Sequence, residues 1–216
     1  MTIYSCPLCQ NLLTQLYHED RQRVYRQCLC CKLVFVPPAY HLSAQAEKAE
    51  YDLHQNSPHD MGYRRFLSRL FEPMQARLPA ASVGLDFGSG PGPTLSEMFK
   101  EAGHTMQIYD IYYAKNHSVW EHSYDFITSS EVVEHLHRPH EELQRLWTCL
   151  KPNGFLGIMT KLVIDQTAFA SWHYKNDLTH VCFFSRPTFN WIGVQWGCEP
   201  EFVADDVTIF RKPELD

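Results

Sequence analysis

The 216-residue chain has no apolar run near the roughly 20 residues that a membrane-spanning helix needs. Its first residues, Met1-Thr2-Ile3-Tyr4-Ser5-Cys6, lack the basic stretch followed by an apolar one that marks a secretory signal. The expectation is therefore a cytoplasmic, reducing compartment and no membrane contact. An excess of positive charge is also missing. Lys and Arg total 19 against 25 Asp and Glu, a formal net charge of -6. With no bulk basic field, nucleic acid is not an expected partner. Nothing in the sequence speaks to oligomeric state. The ordinary hydrophobic and charged fractions describe a globular protein with room for one α/β domain and a small appendage.

Cysteine, by contrast, is plentiful. Five of the eight cysteines, Cys6, Cys9, Cys28, Cys30 and Cys31, fall within the first 31 residues. Disulfides are not expected in a reducing compartment, so another role is needed. Cys6-Pro7-Leu8-Cys9 and Cys28-Leu29-Cys30-Cys31 are two CxxC turns about 18 residues apart, the spacing of a four-cysteine zinc ribbon. Cys6, Cys9, Cys28 and Cys31 are the expected ligands, with Cys30 left over. Val24-Tyr25-Arg26 and Leu33-Val34-Phe35-Val36 read as strands framing the second turn as a hairpin, and Pro37-Pro38 ends the unit. Four thiolates leave no open coordination position, so the metal is expected to be structural. The competing reading is a redox CxxC, which would normally stand alone at a helix start. Their negative charge offsets the nearby Arg21, Arg23 and Arg26. Cys149, Cys182 and Cys198 read as small buried hydrophobes.

The ribbon is expected over residues 1–38 and a linker with two helices over 39–80. The first helix falls between about Ala39 and Asn56, with Ser43 as cap and Asn56-Ser57-Pro58 as its end. The second runs from about Asp60 to Leu78, with an apolar stripe of Tyr63, Phe66, Leu67, Leu70, Phe71 and Met74. Tyr51, His54, Asn56 and Tyr63 suit either an exposed surface or a lid, and exposure is the simpler expectation.

The third region, 81–216, opens on a buried strand, Ser82 to Phe87, followed at once by Gly88-Ser89-Gly90-Pro91-Gly92. Pro93 then starts a helix with Leu95, Met98, Phe99 and Ala102 on one face. Glycines let the backbone approach a ligand closely, and the helix N-terminus offers free N–H groups. A second strand, Thr105 to Tyr109, ends in Asp110, placed where an acid accepts ribose hydroxyls. The glycine spacing is GxGxG and not the GxGxxG of dinucleotide sites, which points to a cofactor without a pyrophosphate.

These residues resemble the class I S-adenosylmethionine (SAM) dependent methyltransferases. The resemblance is nearest to the small-molecule, ubiquinone O-methyltransferase-like type and to the subset with an N-terminal cysteine knuckle. It runs through Leu85 to Gly92, Tyr109-Asp110, Tyr124 to Ile127, Glu131-Val132-Val133-Glu134-His135-Leu136 and Leu150 to Gly154. It implies an α/β Rossmann-like sheet, mostly parallel with an antiparallel last strand. It implies that Asp86, Gly88, Ser89, Gly90, Gly92, Asp110, Ile111, Ser129, Ser130 and Glu131 surround SAM. One departure stands out. Only about 14 residues separate Asp110 from Asp125, too few for two crossovers and a full third strand. The strand-three region is expected to be cut down, with adenine against Tyr112, Tyr113 or Trp120.

Methyl transfer from a sulfonium relies on in-line positioning, with a base where the acceptor must lose a proton. His135, after the fourth strand, and His180, in Asp177-Leu178-Thr179-His180-Val181, are the candidate catalytic residues among 12 histidines. A hydrogen-bonded structural role is the plainer reading for each. Trp172, His173 and Tyr174 are candidates for the acceptor wall. The expected activity is SAM-dependent methylation of a small-molecule oxygen, nitrogen or carbon acceptor. The alternatives are a non-catalytic or protein-docking ribbon and Rossmann-like module, a methyltransferase acting on RNA or protein through the ribbon, and a nicotinamide-dependent oxidoreductase.

Overall fold

The computed structural model describes residues 4–53 and 57–214. Residues 4–40 form the cysteine unit. Strands β1 (Thr14–Glu19), β2 (Val24–Cys28) and β3 (Val34–Phe35) pair antiparallel in that order. The β2–β3 pairing frames the second CxxC turn, as the flanking apolar residues predict.

Two helices follow. Helix α1 (Ala44–Tyr51) is capped by Ser43 Oγ, which accepts the Ala46 N–H. Helix α2 (Met61–Gln75) is capped by Asp60, whose carboxylate accepts the N–H groups of Gly62 and Tyr63. From its predicted stripe, Leu67, Leu70 and Met74 are fully buried. The expected break at Asn56, and His54 with it, lie outside the described residues.

The remaining chain alternates strands and helices: β4 (Val83–Phe87), α3 (Thr94–Glu101), β5 (Thr105–Tyr109), β6 (Tyr124–Ser130), α4 (Pro139–Cys149), β7 (Leu150–Met159), α5 (Gln166–Ala170), β8 (Cys182–Phe183), α6 (Arg186–Trp196), β9 (Glu201–Phe202) and β10 (Val207–Arg211). Six of these strands form one sheet in the order β5-β4-β6-β7-β10-β9. The first four are parallel, and β10 runs antiparallel to both β7 and β9. Helices cover both faces, which is why β4 and β6 read as near-continuous apolar runs. One face packs Leu67, Leu70 and Met74 with Leu95, Phe99, Phe126 and Ile209. The other packs Leu85, Ile127 and Ile158 with Leu143, Leu146 and Phe210.

The shortened stretch after Asp110 takes the expected form. Among the described residues β5 is the sheet edge, with no strand outside it. A single 3-10 turn, His117–Glu121, replaces the third strand and its helices. Trp120 on that turn packs against Tyr109 at 4.7 Å between ring centroids and against Phe87 at 6.1 Å.

The sequence carries no clear signal for one join. β8 pairs antiparallel with β3 and completes the ribbon's four-stranded sheet. Val36 N also donates to Val181 O at 2.9 Å. The cysteine unit and the larger sheet therefore share one continuous apolar core, which runs from Cys6 and Leu8 through Phe183 to Phe210. Cys149 and Cys182 are buried in it, as expected, whereas Cys198 is half-buried.

Candidate functional site

The glycine loop leaves the end of β4 and turns back under β5. Gly88 N donates to Tyr109 O at 2.7 Å, which pins the loop to the neighbouring strand. Gly88 has φ +77°, and a Cβ there would sit 2.3 Å from Val132 Cγ2, so the position admits glycine alone. Gly90 also has positive φ, +63°, but a Cβ there would meet no atom within 4 Å. The space beside Gly90 is open for a ligand.

Asp110 closes the loop from the far side. Its Oδ2 accepts the Gly90 N–H at 2.9 Å, and its Oδ1 accepts the N–H groups of Tyr112 and Tyr113 at 2.8 and 3.0 Å. A carboxylate has about four acceptor positions, so one remains for a hydroxyl.

These groups line a cavity of about 620 Å³, within the size range of small-ligand sites. Gly88, Ser89, Gly90, Asp110, Ile111, Ser130 and Glu131 all reach it from the residues expected to hold a cofactor. His135 and His180 line it as well. Three expected cofactor residues are not in its lining. Asp86 is buried behind the loop, where its Oδ1 accepts Thr128 Oγ1 at 2.9 Å. Gly92 lies at the start of α3, with its carbonyl accepting Thr94 N at 2.7 Å. Ser129 precedes Ser130 on β6, and side chains alternate across a strand, so only Ser130 faces the cavity. Trp120 is excluded too, because its ring is packed beneath Tyr109. Tyr112 and Tyr113 do line the cavity, leaving them as the aromatic residues beside an adenine.

Helix α1 roofs the site. Tyr51 and Tyr63 line the cavity, which corrects the simpler expectation that each is surface. Glu47 accepts Tyr51 Oη at 3.1 Å and Tyr112 Oη at 2.6 Å, while Asp52 accepts Tyr113 Oη at 2.6 Å. The roof is thus tied to the same two tyrosines. Glu47 reads in the sequence only as a helix former, and no local pattern marks it as a pocket residue.

Behind the cavity lies an acidic, buried cluster. Tyr174 Oη donates to Glu134 Oε1 and lies 3.4 Å from Glu131 Oε2 and 3.3 Å from Thr160 Oγ1. Burial, with Glu131 as a like-charged neighbour, pushes the Glu134 carboxyl up to about 8. Burial and the nearby Asp206 push Glu131 up to about 7. Buried atoms Ser130 Oγ and Glu131 Oε1 have no hydrogen-bond partner among the described residues. Burial also lowers the His180 pKa, which favours the neutral ring. His180 Nδ1 sits 2.7 Å from Tyr174 O, and its Nε2 lies 3.7 Å from Asp177 Oδ2. His135 packs edge-on against His180, with centroids 4.6 Å apart. Trp172 stands beside this cluster, 5.0 Å from the Tyr174 ring.

The second constellation is the cysteine cluster. Cys6 Sγ lies 3.5 Å from Cys31 Sγ and Cys9 Sγ 3.4 Å from Cys28 Sγ, and all four sulfurs fall within 4.8 Å of one another. Tetrahedral zinc with bonds of about 2.3 Å sets its sulfurs roughly 3.8 Å apart, so the set fits one ion. Gln10 and Lys32, which follow Cys9 and Cys31, have φ of 60° and 63° and turn each knuckle back on itself. Burial pushes the Cys9 thiol up to about 12, and the bond to Cys6 together with burial raises Cys31. Held as four thiolates, the set would need a cation among them to offset their repulsion. Cys30 is exposed and outside the cluster.

Solved structures share this architecture. The Burkholderia thailandensis 1,6-didemethyltoxoflavin-N1-methyltransferase, solved with 1,6-didemethyltoxoflavin and S-adenosylhomocysteine, is similar at 16% identity and a TM-score of 0.53, covering 93% of this chain and 100% of that one. Human N-acetylserotonin methyltransferase in complex with SAM is similar at 13% identity and a TM-score of 0.51, covering 70% of this chain and 54% of that one. An O-methyltransferase family protein from Burkholderia thailandensis gives 13% identity and a TM-score of 0.52, covering 82% and 64%. No curated protein matches in sequence. The fold is the class I SAM-dependent methyltransferase fold, carrying a candidate four-cysteine metal site at its N-terminus. A family model described as a methyltransferase domain matches residues 59–201, well over half of the chain, and the chain belongs to that methyltransferase family.

Proposed function

We propose that the chain methylates an oxygen, nitrogen or carbon atom of a small molecule, using SAM. The observation that carries this reading is one cavity lined both by Gly90 and Asp110 and by Glu131, Asp177 and His180. SAM, when bound, supplies an electrophilic methyl group. Asp110 has an acceptor position left for a ribose hydroxyl, and Glu131, when ionised, would offer a carboxylate to a cationic ligand in the cavity. His180 is the proposed proton acceptor for an acceptor hydroxyl or amine, and Asp177 stabilises the imidazolium that results. His135 shares that wall. The roof formed by Tyr51 and Glu47 keeps water from the methyl group. A cavity of about 620 Å³ is of the size that takes a small acceptor. Similar solved enzymes act on small molecules, by their names 1,6-didemethyltoxoflavin and N-acetylserotonin.

The test is release of S-adenosylhomocysteine from SAM with panels of hydroxylated and amino small molecules, RNA and proteins. Turnover with small molecules, reduced at least tenfold in His180→Ala, is expected. Turnover with RNA or protein alone would overturn the reading.

A second reading of the buried cluster rests on one observation. Glu134, His135 and His180 each offer a ligand atom, all within 4.8 Å of one another. A divalent cation held there would draw an acceptor hydroxyl towards its ionised form. Added magnesium or manganese would then raise turnover, and a chelator too weak to strip the cysteine site would abolish it.

For the cysteine cluster we propose one structural zinc held by Cys6, Cys9, Cys28 and Cys31. A unit this short has too little core to fold without such a staple.

A further inference from the structure

The β1–β2 hairpin turns through Asp20-Arg21-Gln22-Arg23. The Asp20 Oδ1 atom accepts the N–H groups of Gln22 and Arg23 at 2.9 and 3.0 Å, which shapes the turn. Arg23 does not point to solvent; it is 2% exposed. Its Nη2 donates to Lys175 O at 2.5 Å and to Asp177 O at 2.7 Å. Its Nη1 donates to Leu178 O at 3.1 Å, and its Nε to Tyr25 Oη at 3.0 Å. Three carbonyls of one turn converge on one guanidinium from the other end of the chain. Lys175 Nζ returns the contact by bonding Asp20 Oδ2 at 3.3 Å.

The same turn faces the cavity with its side chains. Asp177 and His180 line the cavity, and Tyr174 reaches the buried Glu134. Thr179 N and Oγ1 donate to Asp177 Oδ1 at 2.9 and 2.6 Å, and Val181 N donates to Glu134 O at 2.8 Å. The turn is therefore a thin wall, with the Lys175, Asp177 and Leu178 carbonyls towards Arg23 and the Asp177 and His180 side chains towards the cavity. Among the described residues, neither the glycine loop nor Asp110 shares a hydrogen bond with Arg23 or with this turn.

We propose that Arg23 is a positioning residue for the acceptor end of the cavity. By drawing the Lys175, Asp177 and Leu178 carbonyls onto the cysteine unit, it fixes where Asp177 and His180 stand. The assignment of that end to the acceptor rests on the function proposed above. The chemistry selects arginine. A planar fork with five donors spans three carbonyls and a tyrosine hydroxyl, whereas the three donors of lysine radiate from one atom. The β1–β2 hairpin of the cysteine unit then sets the position of that part of the cavity from outside it.

The test uses the full chain with its metal, comparing Arg23→Lys, Arg23→Met and Arg23→Ala with wild type. We expect amide exchange over residues 177–181 to accelerate at least tenfold in all three, while exchange in β4 and β6 stays unchanged. The ring carbon shifts of His180 should move in all three. The dissociation constant of S-adenosylhomocysteine should stay within twofold of wild type, and metal content should not change. Millimolar guanidinium should restore protection over 177–181 in Arg23→Ala. If Arg23→Met fails to fold, Arg23→Lys carries the same readouts. Unchanged exchange over 177–181 overturns the proposal, and so does faster exchange spread evenly through the sheet. The exchange readout needs no acceptor, so the clamp and the acceptor assignment fail separately.

Discussion

Asp110 Oδ2 accepts the Gly90 N–H at 2.9 Å, so the acid expected to bind ribose also holds the glycine loop in shape. The two roles share one carboxylate. Asp110→Asn keeps the side-chain volume but turns one acceptor oxygen into a donor facing an N–H group. Hydrogen bonds to charged groups contribute about 1.5–3 kcal/mol each. S-adenosylhomocysteine should therefore bind roughly 10- to 100-fold more weakly, as read by calorimetry. Unchanged affinity would remove Asp110 from the site.

Gly88 and Gly90 separate a folding requirement from a binding one. Gly88→Ala meets Val132 at 2.3 Å and adopts a positive φ, so it should lower the melting temperature by several degrees and disrupt the loop. Gly90→Ala meets nothing within 4 Å, and its left-handed φ costs about 1 kcal/mol. Its methyl group occupies the open space beside the loop. The expected outcome is a folded protein that no longer binds S-adenosylhomocysteine. Full binding by Gly90→Ala would mean that the ligand lies elsewhere.

Much of this was legible because it is local. The order strand, glycine loop, helix, strand and acid can be read from Val83 to Asp110, and each CxxC turn is a four-residue pattern. The missing third strand follows from a length argument between Asp110 and Asp125. The acceptor wall did not follow in the same way. Arg23 meets Lys175, and Glu47 meets Tyr112, through contacts that no periodicity encodes. Arg23 reads as one of several surface charges, yet it is among the most buried polar residues. Trp120 was misread for a related reason. Once the third strand is lost, the sheet edge needs an aromatic cover, and Tyr109 and Phe87 draw the indole there and away from the cavity.

Removing the metal should separate the two halves of the core. Apparent binding energies of structural zinc are about 10–16 kcal/mol, far more than a knuckle of this size gains from packing. Metal analysis of the purified chain should give close to one equivalent. Cys9→Ser should lose that equivalent and lower the melting temperature. Less than about half an equivalent in the wild type would count against the four-thiolate site.

Asp86 makes stability depend on pH. Burial pushes its carboxyl up to about 6, despite the hydrogen bond from Thr128 that opposes the shift. The folded state thus keeps a proton that the unfolded chain releases near 3.8. The stabilising contribution of protonated Asp86 is fully present below 3.8 and is lost as pH rises to 6. The shift corresponds to roughly 3 kcal/mol as an upper bound. Asp86→Asn should gain stability relative to wild type by up to that amount between pH 4 and pH 7, measured by chemical denaturation. A difference that does not change with pH would mean that Asp86 is ionised at no cost.

Glu131 should couple pH to cofactor charge. Its carboxyl sits at about 7, raised by burial and by Asp206, and its Oε1 has no hydrogen-bond partner among the described residues. SAM carries a sulfonium cation that S-adenosylhomocysteine lacks. An ionised Glu131 favours the cation, and a protonated one does not. As pH falls through about 7, SAM affinity should drop while S-adenosylhomocysteine affinity changes much less. The methionine carboxylate stays ionised in both ligands across this range. Between pH 8.5 and pH 5.5 the ratio of the two dissociation constants should move roughly tenfold, about 1.4 kcal/mol. Glu131→Gln should abolish the change and hold the ratio near its acid value. A ratio that is flat with pH in the wild type would place Glu131 away from the sulfonium and leave the methyl group to the His135 and His180 wall alone.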